Sequence, residues 1–183
     1  MTQTESQKFA ERYVGRAMNA VQDYLIQKLL IPKIYFEAQW NGVPVHVLAV
    51  DRAGAGDVHV VWFLYIAPGT RLQEISGLLA NKLPNVVEEI QSLPSHYRYI
   101  ALFSDDPNAH RTHLLKEVTS KALARDGVGR VGILDVDLSR DEASVTVLLK
   151  PERFRSSKEL VEMTHRFVSE HTPNWQIPDE ERI

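Results

Sequence analysis

The chain contains no cysteine, which removes disulfides, thiolate metal sites and a cysteine nucleophile together. It has no apolar run approaching the ~18 residues of a membrane-spanning helix. Its net charge is only −3, so no global field draws it toward nucleic acid or an anionic membrane. Glycine and proline stand at 9 residues each among 183, too few for a linker-like or low-complexity chain. No internal repeat is visible. The first residues, Met1-Thr2-Gln3-Thr4-Glu5-Ser6, are polar and include an acid, unlike a secretory signal peptide. These absences predict one soluble, cytoplasmic domain over residues 1–171, followed by an extended polar tail over 172–183.

What the sequence does contain is strong periodicity. Phe9, Tyr13, Ala17, Val21 and Leu25 recur every four positions and predict an amphipathic helix from about Glu5 to Leu30, stopped by Pro32. Ile34 to Trp40 reads as a strand, and Asn41-Gly42 is a two-residue hairpin signal. Val43 to Val50 and Val58 to Tyr65 are two long apolar strands joined through Arg52-Ala53-Gly54-Ala55-Gly56. Helical spacing returns from Leu72 to Leu83, with Val86 to Leu93 a second short helix or a continuation beyond Pro84. Tyr97 to Phe103 is a fourth strand, and Ala109 to Arg125 a further helix. Val128–Val136 and Ala143–Leu149 make a C-terminal strand pair. A last helix runs from Ser157 to His171, with a capping signal at Ser156-Ser157-Lys158-Glu159. Val58, Val60, Trp62 and Leu64 fall on one face of their strand, Val61, Phe63 and Tyr65 on the other. A strand apolar at both parities is buried on both sides, which predicts an α/β fold with a mixed sheet flanked by helices.

The order αβββαβ, and the phrase Val47-Leu48-Ala49-Val50-Asp51-Arg52 followed by Gly56-Asp57-Val58-His59-Val60-Val61, resembles the restriction-endonuclease-like (PD-(D/E)XK) nuclease superfamily over about residues 5 to 103. The resemblance implies a restriction-endonuclease-like core with a C-terminal hairpin and helix appended. It also implies a site. In that superfamily an Asp near the start of the second strand works with an acidic-x-Lys triplet late in the third. The carboxylates hold Mg²⁺ and the Lys activates the attacking water. If Asp51 faces Asp57 across the turn, His46 lies opposite Trp62 and Pro44 opposite Leu64, with 46, 62 and 64 on one face. His46, Trp62 and Leu64 then stand where the family has Asp, an acid and Lys. Trp and Leu cannot ligate Mg²⁺, so the implied site is catalytically dead and no cofactor is expected.

A displaced Mg²⁺ site would have to use Glu37, Asp51 and Asp57, with no Lys among them; turn chemistry is the plainer account of the two Asp residues. Of seven histidines, His46 and His59 should lie on opposite faces. His110 and His113 have acceptable ligand spacing for Zn²⁺ but no evident third ligand. Ser104-Asp105-Asp106 reads as helix capping, and Gly54-Ala55-Gly56 as a plain turn rather than a phosphate cradle. Arg111, Lys116, Lys121 and Arg125 (continuing to Arg130) form one candidate nucleic-acid face, and Lys150, Arg153, Arg155 and Lys158 another. Glu117, Asp126, Glu152 and Glu159 blunt both. The expected role is a non-catalytic binding or regulatory protein, with a protein partner or a second copy of itself and no membrane. Trp175 and Ile177 in the tail are candidates for that contact. The alternatives are a nucleic-acid-binding protein or a divergent Mg²⁺-dependent nuclease.

Overall fold

A computed structural model describes residues 5–51, 56–110, 116–117, 120 and 131–176. Helix α1 spans Glu5–Leu29, then strands β1 (Lys33–Trp40), β2 (Val43–Val50) and β3 (Val58–Tyr65) follow as a meander. Helix α2 (Leu72–Ser92) leads to β4 (Tyr97–Ser104) and a 3₁₀ turn at Pro107–His110. Strands β5 (Gly132–Asp137) and β6 (Ser144–Leu149), helix α3 (Lys158–Glu170) and a short β7 (Trp175–Gln176) complete the order. All strands join one sheet, in the order β6-β5-β4-β3-β2-β1-β7. The β3–β4 and β4–β5 pairs are parallel and the other pairs antiparallel. The sheet is therefore mixed and flanked by helices on both faces, as the two-sided apolar strands require.

On one face α1 packs Ala17, Val21 and Leu25 over Val47, Ala49, Val61, Phe63, Ala101 and Val136. On the other, Ile75 and Ile90 of α2 and Leu160 and Phe167 of α3 cover Leu48, Val50, Val58, Val60, Leu64, Ile100 and Ile133. At about 25 cal/mol per Å² of apolar surface removed from water, these two layers dominate the fold's stability. The alternation foreseen for β3 is the one found. Among the described residues no helix is long and apolar enough to cross a membrane.

Several elements differ in extent from the sequence expectation. Residues 72–92 form one helix running through Pro84, the continuation and not the second short helix. Of the expected 109–125 helix, the described residues include the 3₁₀ turn and helical positions at 116–117 and 120; the rest lies outside them, as do 128–130 before β5. The tail is not simply extended away from the domain. Trp175 pairs with Ile34 in β7 and packs on the α1-side core. Asn174 Oδ1 accepts the Phe36 N–H at 2.7 Å, so Trp175 is spent on the chain's own sheet edge, while Ile177 lies outside the described residues.

Two backbone features position the polar side chains of the sheet. Glu37 has φ +49 in the middle of β1, a left-handed conformation unfavourable for a residue with a Cβ. Tyr35 and Trp40 are five residues apart and would alternate to opposite faces, yet both rings meet Phe167, at 5.0 and 5.3 Å. The strand therefore changes phase at Glu37. Strand β2 shifts with it, because Val43 and Val45 join the same core layer as Leu48 and Val50. His46 sits at that change. The second feature is Gly132, where a Cβ would lie 2.8 Å from Pro151 and 2.9 Å from Tyr99. Only glycine lets the segment after β6 approach β5 so closely.

Candidate functional site

β2 and β3 pair from Val50↔Val58 to Val47↔Val61, the register that Asp51 opposite Asp57 predicts. The Asp51 N–H donates to the Asp57 carbonyl at 2.9 Å. Regular pairing stops at Val47. The His46 ring then meets Trp62 edge-on at 5.4 Å and Phe63 at 5.6 Å. Its Nδ1 accepts the Phe63 N–H at 3.4 Å, which leaves the ring proton on Nε2 in the neutral form. Burial lowers the His46 pKa, and the nearby Glu37 carboxylate only partly opposes it. Leu64 is buried in the α2/α3-side core, whereas Pro44, expected opposite it, is exposed. The phase change at Glu37 separates them.

Glu37 is exposed and lies beside His46, with its neighbours Phe36 and Ala38 paired to Val47 and Val45. Asp51 and Asp57 lie beyond the Val50↔Val58 rung, ~16 Å along β2 from His46 at the usual strand rise. The three acids therefore do not converge. Among the described residues no group of three His, Asp or Glu side chains could hold a metal ion.

Asp57 is committed elsewhere. Arg153 Nε and Nη2 grip its two oxygens at 2.8 and 2.6 Å, a bidentate fork. That bond, first among several causes, holds the Asp57 carboxyl below the usual carboxylate range. His96 Nδ1 accepts the Val58 N–H at 2.9 Å, so its Nε2 carries the proton and faces Asp57 Oδ1 at 3.7 Å. Burial lowers the His96 pKa, against the pull of Asp57. His59 lies behind, stacked on Tyr97 at 4.6 Å. Its Nδ1 is buried without a hydrogen-bond partner among the described residues, and burial pushes its pKa down to about 4.

Next to this corner lies a cavity of about 560 Å³ lined by the α2–β4 loop, the start of β4 and the segment leading into α3. Arg98 is 7% exposed at its wall. Its Nε donates to Ser95 Oγ at 3.0 Å and Nη2 to the Leu93 carbonyl at 2.8 Å. The guanidinium lies over the Phe154 ring, 3.7 Å from its centroid, a cation–π contact. Phe154 is fixed in turn by its N–H, which donates to the His96 carbonyl at 2.8 Å. Arg98 and His96 are absent from the candidates that the sequence suggests. A signal for Arg98 was there: it shares the inward parity of Ile100 and Leu102.

The remaining candidates divide. Lys116 is exposed, while Arg111, Lys121, Arg125, Arg130 and His113 lie outside the described residues. Asp106 does cap: its carboxylate accepts the Asn108 N–H at 2.9 Å and the Gly69 N–H at 2.7 Å. Ser157 Oγ accepts the Leu160 N–H at 3.0 Å and caps α3.

No family model matches the chain, and no curated protein does. A solved structure, that of a Silicibacter pomeroyi protein of unknown function, is similar at 10% identity with a TM-score of 0.46. The likeness covers 93% of this chain and 88% of that one.

Proposed function

We propose that this chain is a non-catalytic binding or regulatory protein on a restriction-endonuclease-like scaffold, working in the cytoplasm with a protein partner or a second copy of itself. The order of a long helix, three antiparallel strands, a helix and a strand parallel to the third supports the scaffold. The observation that carries the loss of catalysis is the His46–Trp62 contact. At the positions where the resemblance implies a Mg²⁺ site, a neutral imidazole packs on an indole and Leu64 enters the core. Such a surface offers no hard oxygen ligands to Mg²⁺. Asp57, one of the spare acids, lies far from His46 and is neutralised by Arg153.

The test is a cleavage assay with Mg²⁺ or Mn²⁺ on single-stranded, duplex and branched DNA. No cleavage above background is expected. Metal-dependent cleavage lost in Glu37→Ala, Asp51→Ala or Asp57→Ala would establish the divergent nuclease instead.

A further inference from the structure

We infer that the cavity walled by Arg98 is a binding site for a phosphate monoester. The inference does not depend on the fate of the hairpin site. A guanidinium presents five N–H donors and stays charged even when buried. Two protein acceptors are supplied to Arg98, Ser95 Oγ and the Leu93 carbonyl. Among the described residues no carboxylate bonds it, and burial, with no acidic neighbour opposing it, pulls its pKa below the ordinary arginine value. A buried charge left without a counter-ion is costly, and chains keep one where a ligand supplies the missing charge. Arg98 lines the cavity, so the N–H groups that these two acceptors leave unused stand at its wall.

The rest of the wall matches an anion. Arg155 lines the same cavity and forms no ion pair among the described residues. Arg153 lines it too, with its guanidinium held by Asp57. Ser157 lines the cavity where α3 begins, so the positive end of that helix adds to the field. Glu152 is the acid on this wall. Two guanidiniums without carboxylate partners among the described residues therefore match a dianion, the charge of a phosphate monoester near neutral pH, better than a single carboxylate or a backbone phosphodiester. Such a group is carried by small metabolites and by the 5′ ends of nucleic acid, and the chemistry at the site is shared.

Calorimetric titration of the full chain decides it, using inorganic phosphate, a nucleoside and its 5′-monophosphate, and one oligonucleotide with and without a 5′-phosphate. Phosphate and the monophosphate should bind and the nucleoside should not. Arg155→Ala, at an exposed position, should weaken binding about tenfold, the worth of a charge-assisted hydrogen bond, with the melting temperature of the free protein unchanged. Arg98→Met should abolish binding. A 5′-phosphorylated oligonucleotide that outbinds the monophosphate assigns the site to nucleic-acid ends; equal affinity assigns it to small phosphomonoesters. Failure of every phosphomonoester to bind, equal binding of the two oligonucleotides, or affinities unmoved in Arg155→Ala and Arg98→Met would overturn the inference.

Discussion

At its carboxyl end β3 presents Trp62 and Leu64, one packed on an imidazole and the other sunk in the core. At its amino end it begins beside Asp57, held by Arg153, faced by His96 and backed by His59. The same strand thus joins an apolar end, where the family resemblance implies catalysis, to a polar end where it implies nothing. The difference teaches that the end a resemblance singles out and the end that gathers the charged groups need not coincide. Residues that could bind a charged ligand cluster where two loops meet the parallel strands, around Arg98.

The contrast breaks most easily by forcing charge into the apolar end. Leu64→Lys places the residue type that the resemblance implies but buries an ammonium in the α2/α3-side core, and should cost about 3 kcal/mol or more. Urea unfolding measures it. A stable Trp62→Glu/Leu64→Lys double variant that gains Mg²⁺-dependent cleavage would mean the two ends are less different than they look.

Acid sharpens the polar end. The folded His59 pKa of about 4 lies below the ordinary 6.5, so the unfolded chain binds the proton more readily. Its contribution is complete above pH 6.5 and is lost as pH falls toward 4, amounting to about 3 kcal/mol over that window. Denaturant titrations at stepped pH should show that fall. His59→Phe should flatten it if His59 is the source.

Gly132→Ala couples stability to the Arg98 corner. Its Cβ would collide with Pro151 and Tyr99, overpacking worth about 1–3 kcal/mol. Because Pro151 leads directly into the Arg153–Arg155 segment, phosphate affinity should fall with stability. The smallest expected effects lie at left-handed residues outside both ends. Leu30 has φ +55 and is 70% exposed, in the position after α1 where glycine is usual. Leu30→Gly should stabilise by about 1 kcal/mol in thermal unfolding.

Much of this architecture was legible because apolar alternation is a two-sided code. Val58 to Tyr65 named both faces of β3, and Asn41-Gly42, with both residues at positive φ, fixed the β1–β2 turn. The facing of Asp51 and Asp57 gave the β2–β3 register through Val47. What was not legible stems from backbone exceptions and from distance. Glu37 looks like any exposed strand residue, so the phase change that separates Pro44 from Leu64 has no sequence mark. Arg153 reaches Asp57 across 96 positions, a pairing local pattern cannot announce. Trp175 read as a free apolar tail because nothing local marks β1 as the edge it completes.

The central claim is that the apolar end of β3 is inert while the Arg98 corner binds. One amide-resolved NMR experiment addresses both, titrating the ¹⁵N-labelled chain first with Mn²⁺ and then with phosphate. The account predicts no paramagnetic broadening at His46, Trp62 or Leu64, and phosphate-dependent shifts centred on Ser95, Arg98, Phe154 and Ser157. Selective Mn²⁺ broadening around His46 and Trp62, with the Arg98 corner unmoved by phosphate, would contradict it.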